Sequence, residues 1–225
     1  MLFRSLGATL AGTGASGFVV WDVDAPTGEV VRQREAALLV RLAFARRPWR
    51  DDVLEELRRA PVLDESVRRE ALAQARRWPM EPKRLNDAAW AVVRKPAADA
   101  AARRKALAMA EEAVRLAPQD GLLLNTLGVA LYRAGQHARA WDILTRSEKL
   151  NTARLRSPHP ADLAFLAMTA HHLGRPDQAR DYLTQLQEIM KRPDWARRPG
   201  PAQDEAREFL REAERLLNGG TDRRK

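Results

Sequence analysis

The sequence predicts an all-α fold: a row of helical hairpins stacked side by side, preceded by a short irregular or β-hairpin segment. Three observations predict it. Leu85-Asn86-Asp87-Ala88-Ala89-Trp90 returns 39 residues later as Leu124-Asn125-Thr126-Leu127-Gly128-Val129, and after another 39, more loosely, as Leu163-Ala164-Phe165-Leu166-Ala167-Met168. Self-similarity at a fixed period marks arrays whose units bury their apolar faces only against one another. Each copy is followed by a second amphipathic segment with helical spacing. Small residues also recur where the two helices of a hairpin must touch: Ala89, Gly128 and Ala167 on the first helix, Ala106, Ala140 and Ala179 on the second. They let the axes approach to the short end of the ~8–10 Å range.

The elements follow in order. In residues 1–28, Gly7, Gly12, Gly14 and Gly17 give way to Phe18-Val19-Val20-Trp21-Asp22-Val23 and the turn signal Ala25-Pro26-Thr27-Gly28. Clustered aromatic and β-branched residues between glycine and proline read as a short strand or hairpin. Residues 29–79 read as an N-terminal helical cap. Its first helix carries Val31, Leu38, Leu42 and Ala45 on one face and stops at Pro48. A second, at about 51–59, turns Val53, Leu54 and Leu57 inward. A third, at about 64–77, turns in Val67, Ala71, Leu72 and Ala75 before Trp78-Pro79. Residues 80–192 hold three hairpins, pairing 82–93 with 98–117, 121–134 with 137–150 and 160–173 with 176–190. Gly135 and Gly174 suit a left-handed helix stop, and Pro118 ends the first hairpin. Residues 193–218 read as a C-terminal capping helix, with Ala206, Phe209, Leu210, Ala213 and Leu217 on one side, and 219–225 as a disordered tail.

Composition narrows the function. The chain lacks cysteine, which excludes disulfides and thiolate metal sites and fits a cytoplasmic location. No run of about 18 apolar residues spans a membrane, and Met1 to Gly17 lacks the apolar core of a signal peptide. The net charge of +9 suits an anionic partner. However, of 39 basic residues 33 are arginine, a pattern of coding bias, and many sit at helix ends. Asp51-Asp52 opens a segment closed by Arg58-Arg59, and Asp64-Glu65 one closed by Arg76-Arg77. Acid first and base last complements the helix dipole, so a solvated face is expected ahead of nucleic-acid binding.

Leu124, Leu127-Gly128, Gly135 and Ala140 form a pattern that resembles the tetratricopeptide repeat. The third copy matches with Leu163, Leu166-Ala167, Gly174 and Ala179, and the first with Leu85, Ala88-Ala89, Ala106 and Pro118. The offset of 39 departs from that family's 34, with the surplus around Lys95–Ala100 and Arg154–Pro158. The second copy has Thr152 where the family has its exit proline, and the first lacks a helix-stop glycine. Residues 82–190 resemble the tetratricopeptide regions that end many bacterial serine/threonine kinase and WD-repeat proteins. Ser157-Pro158-His159-Pro160-Ala161-Asp162-Leu163 looks particularly like those tails.

The resemblance implies a right-handed solenoid whose first helices line a concave peptide groove. Carried over by position, that groove shows Asn86, Trp90, Val93 and Arg94 from the first copy, Asn125, Val129, Tyr132 and Arg133 from the second, and Met168, His171 and His172 from the third. Arginines, a tyrosine and asparagines suit a peptide with a carboxylate or acidic side chains. The competing reading makes Trp90 a packing residue and has Asn86 and Asn125 satisfy backbone groups or each other.

Other signals carry less. Gly12-Thr13-Gly14-Ala15-Ser16-Gly17-Phe18-Val19 matches the glycine-rich loop of protein kinases, but Arg32 and Gln33 stand where the phosphate-pairing lysine belongs, and no His-Arg-Asp or Asp-Phe-Gly follows. Val20-Trp21-Asp22 matches the end of a WD-repeat blade, of which no second copy exists. His171 and His172 are adjacent, so on a helix they point about 100° apart and cannot share a metal. The expectation is a non-catalytic protein-interaction scaffold, monomeric, without cofactor or metal, binding a protein or peptide. The alternative is the detached or degenerate C-terminal regulatory region of a bacterial serine/threonine kinase, with weak nucleic-acid binding as a third reading.

Overall fold

In the computed structural model the described residues are 8–14, 17–23, 27–61, 63–196 and 200–219. They fall into two compact units, Met1–Pro79 and Met80–Lys225. Of the expected tail at 219–225, Gly219 is the last residue of a helix and 220–225 lie outside the described residues. None of the described helices is long and apolar enough to cross a membrane.

The first unit contains strands β1 (Ala8–Gly14) and β2 (Gly17–Val23), paired antiparallel from Ala8 opposite Val23 to Gly14 opposite Gly17. Three helices follow: α1 (Gly28–Arg46), α2 (Arg50–Arg59) and α3 (Glu65–Arg77), each packed on the other two. The Thr27 hydroxyl accepts from the Val30 amide to cap α1, and Asp64 accepts from the Ser66 amide at 2.8 Å to cap α3. The core takes Val53, Leu54 and Leu57 from α2 and Val67, Ala71 and Ala75 from α3, while Phe44 stacks on Trp78 at 5.4 Å.

The expected inner face of α1 needs correction. Val31, Leu38 and Leu42 are 39%, 52% and 49% exposed, and Ala45 is exposed too. The buried stripe is Ala36, Val40, Ala43 and Phe44. Both stripes have helical spacing. The second one wins because its alanines let α3 come close and Phe44 supplies bulk against Trp78.

The second unit is built from α4 (Pro82–Val93), α5 (Ala100–Leu116), α6 (Gly121–Arg133), α7 (His137–Leu155), α8 (Pro160–His172), α9 (Pro176–Lys191), the short α10 (Pro193–Ala196) and α11 (Pro201–Gly219). Contacts run α4 to α5, α6 to α7 and α8 to α9 within hairpins, and α4 to α6 to α8 along the row of first helices. The second helix of each hairpin also packs on the first helix of the next, α5 on α6 and α7 on α8.

Local chemistry explains the boundaries. Asp99 and Asp120 cap α5 and α6, accepting from the Ala102 amide at 2.8 Å and the Leu122 amide at 2.9 Å. Gly135 (φ 75°) and Gly174 (φ 70°) adopt the left-handed conformation. The next amides reach back five residues, Gln136 to the Leu131 carbonyl and Arg175 to the Ala170 carbonyl, both at 2.9 Å. This satisfies carbonyls a helix end would leave bare. Leu85, Leu124 and Leu163 are fully buried at equivalent places, as are Ala89 and Ala167. A methyl group on Gly128 would stand 2.5 Å from the Leu144 side chain, so glycine is required where α6 and α7 touch.

The helix expected at 137–150 continues to Leu155 and stops at Arg156, which holds φ 56° without being glycine. The reason lies in the extra turn. It carries Asn151, whose amide nitrogen donates to Asp162 Oδ2 at 2.8 Å. Ser147, one turn earlier, donates to Asp162 Oδ1 at 2.6 Å, and Asn125 of α6 donates to the same oxygen at 2.7 Å. A fully buried carboxylate thus ties α6, α7 and α8 together, with each oxygen satisfied.

Candidate functional site

Repeat spacing sets Arg94, Arg133 and His172 at the C-terminal ends of α4, α6 and α8, where cations complement the helix dipole. One turn back along the same face come Trp90, Val129 and Met168. This face is where the sequence places a groove. In the structure, α11 lies on it.

Phe209 of α11 is the central contact. Its ring meets Trp90 edge-on at 5.8 Å and Phe165 of α8 at 5.1 Å. On one side Glu205 accepts from Trp90 Nε1 at 3.1 Å and from Arg94 Nη1 at 3.3 Å. On the other, Glu212 takes both ends of the Arg133 guanidinium, with Nη2 to Oε2 at 2.8 Å. Arg133 also donates from Nε to the Val93 carbonyl at 3.1 Å, and its guanidinium carbon sits 5.0 Å from the Phe165 ring centroid. Glu205, Phe209 and Glu212 fall at spacings of four and three, hence on one face of α11. Ala206 and Ala213 are buried beside them. Gln187 of α9 donates to Glu214 at 2.9 Å.

The sequence-derived groove residues therefore separate into three groups. Trp90, Arg94 and Arg133 do lie together and hold an acidic helix, supplied by this chain itself. Val129 and Met168 are fully buried, and so is Val93, because neighbouring helices pack over them. Asn125 is buried in the Asp162 network, and Asn86 is half-buried with its amide oxygen unpartnered. The third group is aromatic. The Tyr132 hydroxyl lies 3.4 Å from His172 Nε2, and His172 stacks flat on His137 with ring centroids 4.3 Å apart. His171 meets His172 edge-on at 5.9 Å. Burial, with Glu212 adding, pushes the Tyr132 hydroxyl up to about 12. Burial and the neighbouring His137 and His171 hold His172 below its ordinary value. Face-to-face stacking is a packing geometry, and among the described residues no group of three or more His, Asp or Glu is placed to hold a metal.

A second polar region lies at the start of α8. A cavity of about 530 Å³ is bounded by Leu155, His159, Pro160, Trp195, Pro201 and Gln203. His159 Nδ1 is buried without a partner. Burial depresses His159 and raises the Asp162 carboxyl against the pull of its hydrogen bonds from Ser147, Asn151 and Asn125. The cluster satisfies both Asp162 oxygens but leaves the Asn151 amide oxygen, like His159 Nδ1, buried without a partner.

The glycine-loop match cannot be followed to a site. Gly12–Gly14 lie in β1 and Gly17–Val19 in β2, while Ala15 and Ser16 lie outside the described residues. Compared with known proteins, the chain matches no family model and no curated protein.

Sequence reasoning missed two features. Glu205 and Glu212 read as solvated charges on a capping helix, and only their spacing around Phe209 hinted at a matching face. Ser147 and Asn151 lie one turn apart on α7, but Asp162 is 15 and 11 residues further on, so no local pattern connects it to them.

Proposed function

We propose that the chain is a non-catalytic protein-interaction scaffold. In this reading residues 80–192 are three tetratricopeptide-like hairpins in a right-handed solenoid, and the face of α4, α6 and α8 takes a peptide or protein segment. The observation that carries it is the seating of α11: an acidic amphipathic helix held there by Arg94, Trp90, Phe165 and Arg133. The packing of each second helix on the next first helix supports the repeat reading. A cytoplasmic monomer without cofactor belongs to the same proposal.

The test is site-specific photo-crosslinking in native lysate. A photoreactive residue at Asn86, on the first-helix side, should trap a partner that the same probe at Arg104, exposed on α5, does not. Capture from Arg104 alone would sink the groove reading.

A further inference from the structure

The geometry points to one class of partner for this face: an acidic amphipathic helix presenting Glu, an aromatic residue and Glu at relative positions 0, 4 and 7, which takes the place α11 occupies. This rests on the groove reading above and specifies what the groove selects. In this arrangement α11 is a built-in stand-in for that ligand and gates access to it.

Three observations argue for it. The first is charge. The chain carries +9 overall, yet α11 holds Asp204, Glu205, Glu208, Glu212 and Glu214 against three arginines. The helix has the opposite sign to the rest of the molecule, and two of its glutamates meet arginines at repeat-equivalent places. The second is selectivity of shape. Phe209 enters between Trp90 and Phe165, so the slot between the two arginines is aromatic and takes a flat ring edge-on. The third is how few residues anchor α11. Of its 19 residues only Gln203, Ala206, Phe209 and Ala213 are buried, Phe209 being the one large apolar side chain among them. Leu210, Leu216 and Leu217 remain half-exposed. A helix tethered to its own site acts at an effective concentration of order millimolar. An anchor that rests on one ring and two ion pairs then becomes a gate: an outside helix with the same charge pattern and a fuller apolar face competes.

The experiment uses the full chain and a fluorescent synthetic peptide with the sequence of residues 200–219. Binding is read by anisotropy at low salt, and α11 opening by amide exchange. Wild type should bind the peptide weakly. Glu205→Ala/Glu212→Ala, which loosens the tethered helix, should bind at least tenfold tighter, and α11 amides should exchange faster. A peptide with lysine at both glutamate positions should not bind, and added salt should weaken the native peptide. That peptide control needs no further change in the protein. Should α11 of the double variant exchange freely while the peptide still fails to bind, the partner class is wrong. If α11 stays as protected as in wild type and no peptide binds, α11 is a fixed part of the fold and the gate is overturned. Crosslinking from Asn86 still decides the groove reading separately.

Discussion

Arg94 and Arg133 occupy the same place in successive hairpins, and each meets a glutamate of α11. The first pair is a single contact at 3.3 Å, with the Arg94 side chain 43% exposed. The second is two-pronged, with the Arg133 side chain 6% exposed. The difference is position in the row. Arg133 belongs to the middle hairpin, so the Val93 carbonyl of α4 lies on one side of it and the Phe165 ring of α8 on the other. Arg94 belongs to the first hairpin of its unit and lacks that double flank. Repeat equivalence sets the direction of a side chain, whereas its place in the stack sets its dielectric surroundings. An exposed pair contributes little, but breaking a buried pair strands a charge.

Four measurements break or sharpen this comparison. The largest effect is expected at the contact both pairs share. Phe209→Ala should destabilise the second unit by about 3–5 kcal/mol, because a 2% exposed ring leaves a cavity between Trp90 and Phe165. Chemical denaturation that shows under about 1 kcal/mol would mean α11 is not seated as described.

Next, Arg133→Ala should cost roughly 2–4 kcal/mol, below the ~3–5 of a wholly buried pair because Glu212 keeps 21% of its surface in water. A double-mutant cycle with Glu212→Ala should recover much of it as coupling. Additive single effects would place the two groups apart in solution.

The third tests the buried network that holds α6 and α8 in register. Burial raises the Asp162 carboxyl, so the folded state binds this proton more tightly than the unfolded chain does. Its contribution to stability therefore falls as pH rises from the ordinary carboxylate range through the raised value. His159, depressed by burial, acts oppositely: its contribution is present above the ordinary histidine value and is lost as pH falls below it. Urea midpoints across about pH 4 to 7 should show the acidic-side component vanish in Asp162→Asn. That variant should also lose about 1–3 kcal/mol where its amide faces a donor. An unchanged pH profile would assign the titration elsewhere.

The smallest effect is Arg94→Ala, at about 0–1 kcal/mol and shrinking with added salt. A cost equal to that of Arg133→Ala would erase the comparison.

Much of the helical layout was legible. The 39-residue echo located α4, α6 and α8, and Gly135 and Gly174 marked two of their ends, because left-handed stops demand glycine. One boundary and one face were not. Helix α7 outruns its expected end because Ser147 and Asn151 find Asp162, a partner local propensity cannot see. The buried side of α1 was misassigned by weighting Val31, Leu38 and Leu42 over the alanines that α3 packs against.

By itself the sequence determined where the helices of the row fall and which residues recur at equivalent places along them. Periodicity is a local property, and it puts Arg94 and Arg133 at equivalent places; that Trp90 and both arginines share a groove is what the tetratricopeptide resemblance implied. Only the tertiary structure decided what those residues touch. Glu205 and Glu212 lie 111 and 79 residues along the chain from their arginines. No spacing rule spans such a gap, since the pairing depends on where α11 turns back and not on anything within either helix. The same folding-back made Arg133 a buried ion-pair partner and left Arg94 near the surface, although repeat spacing makes the two equivalent.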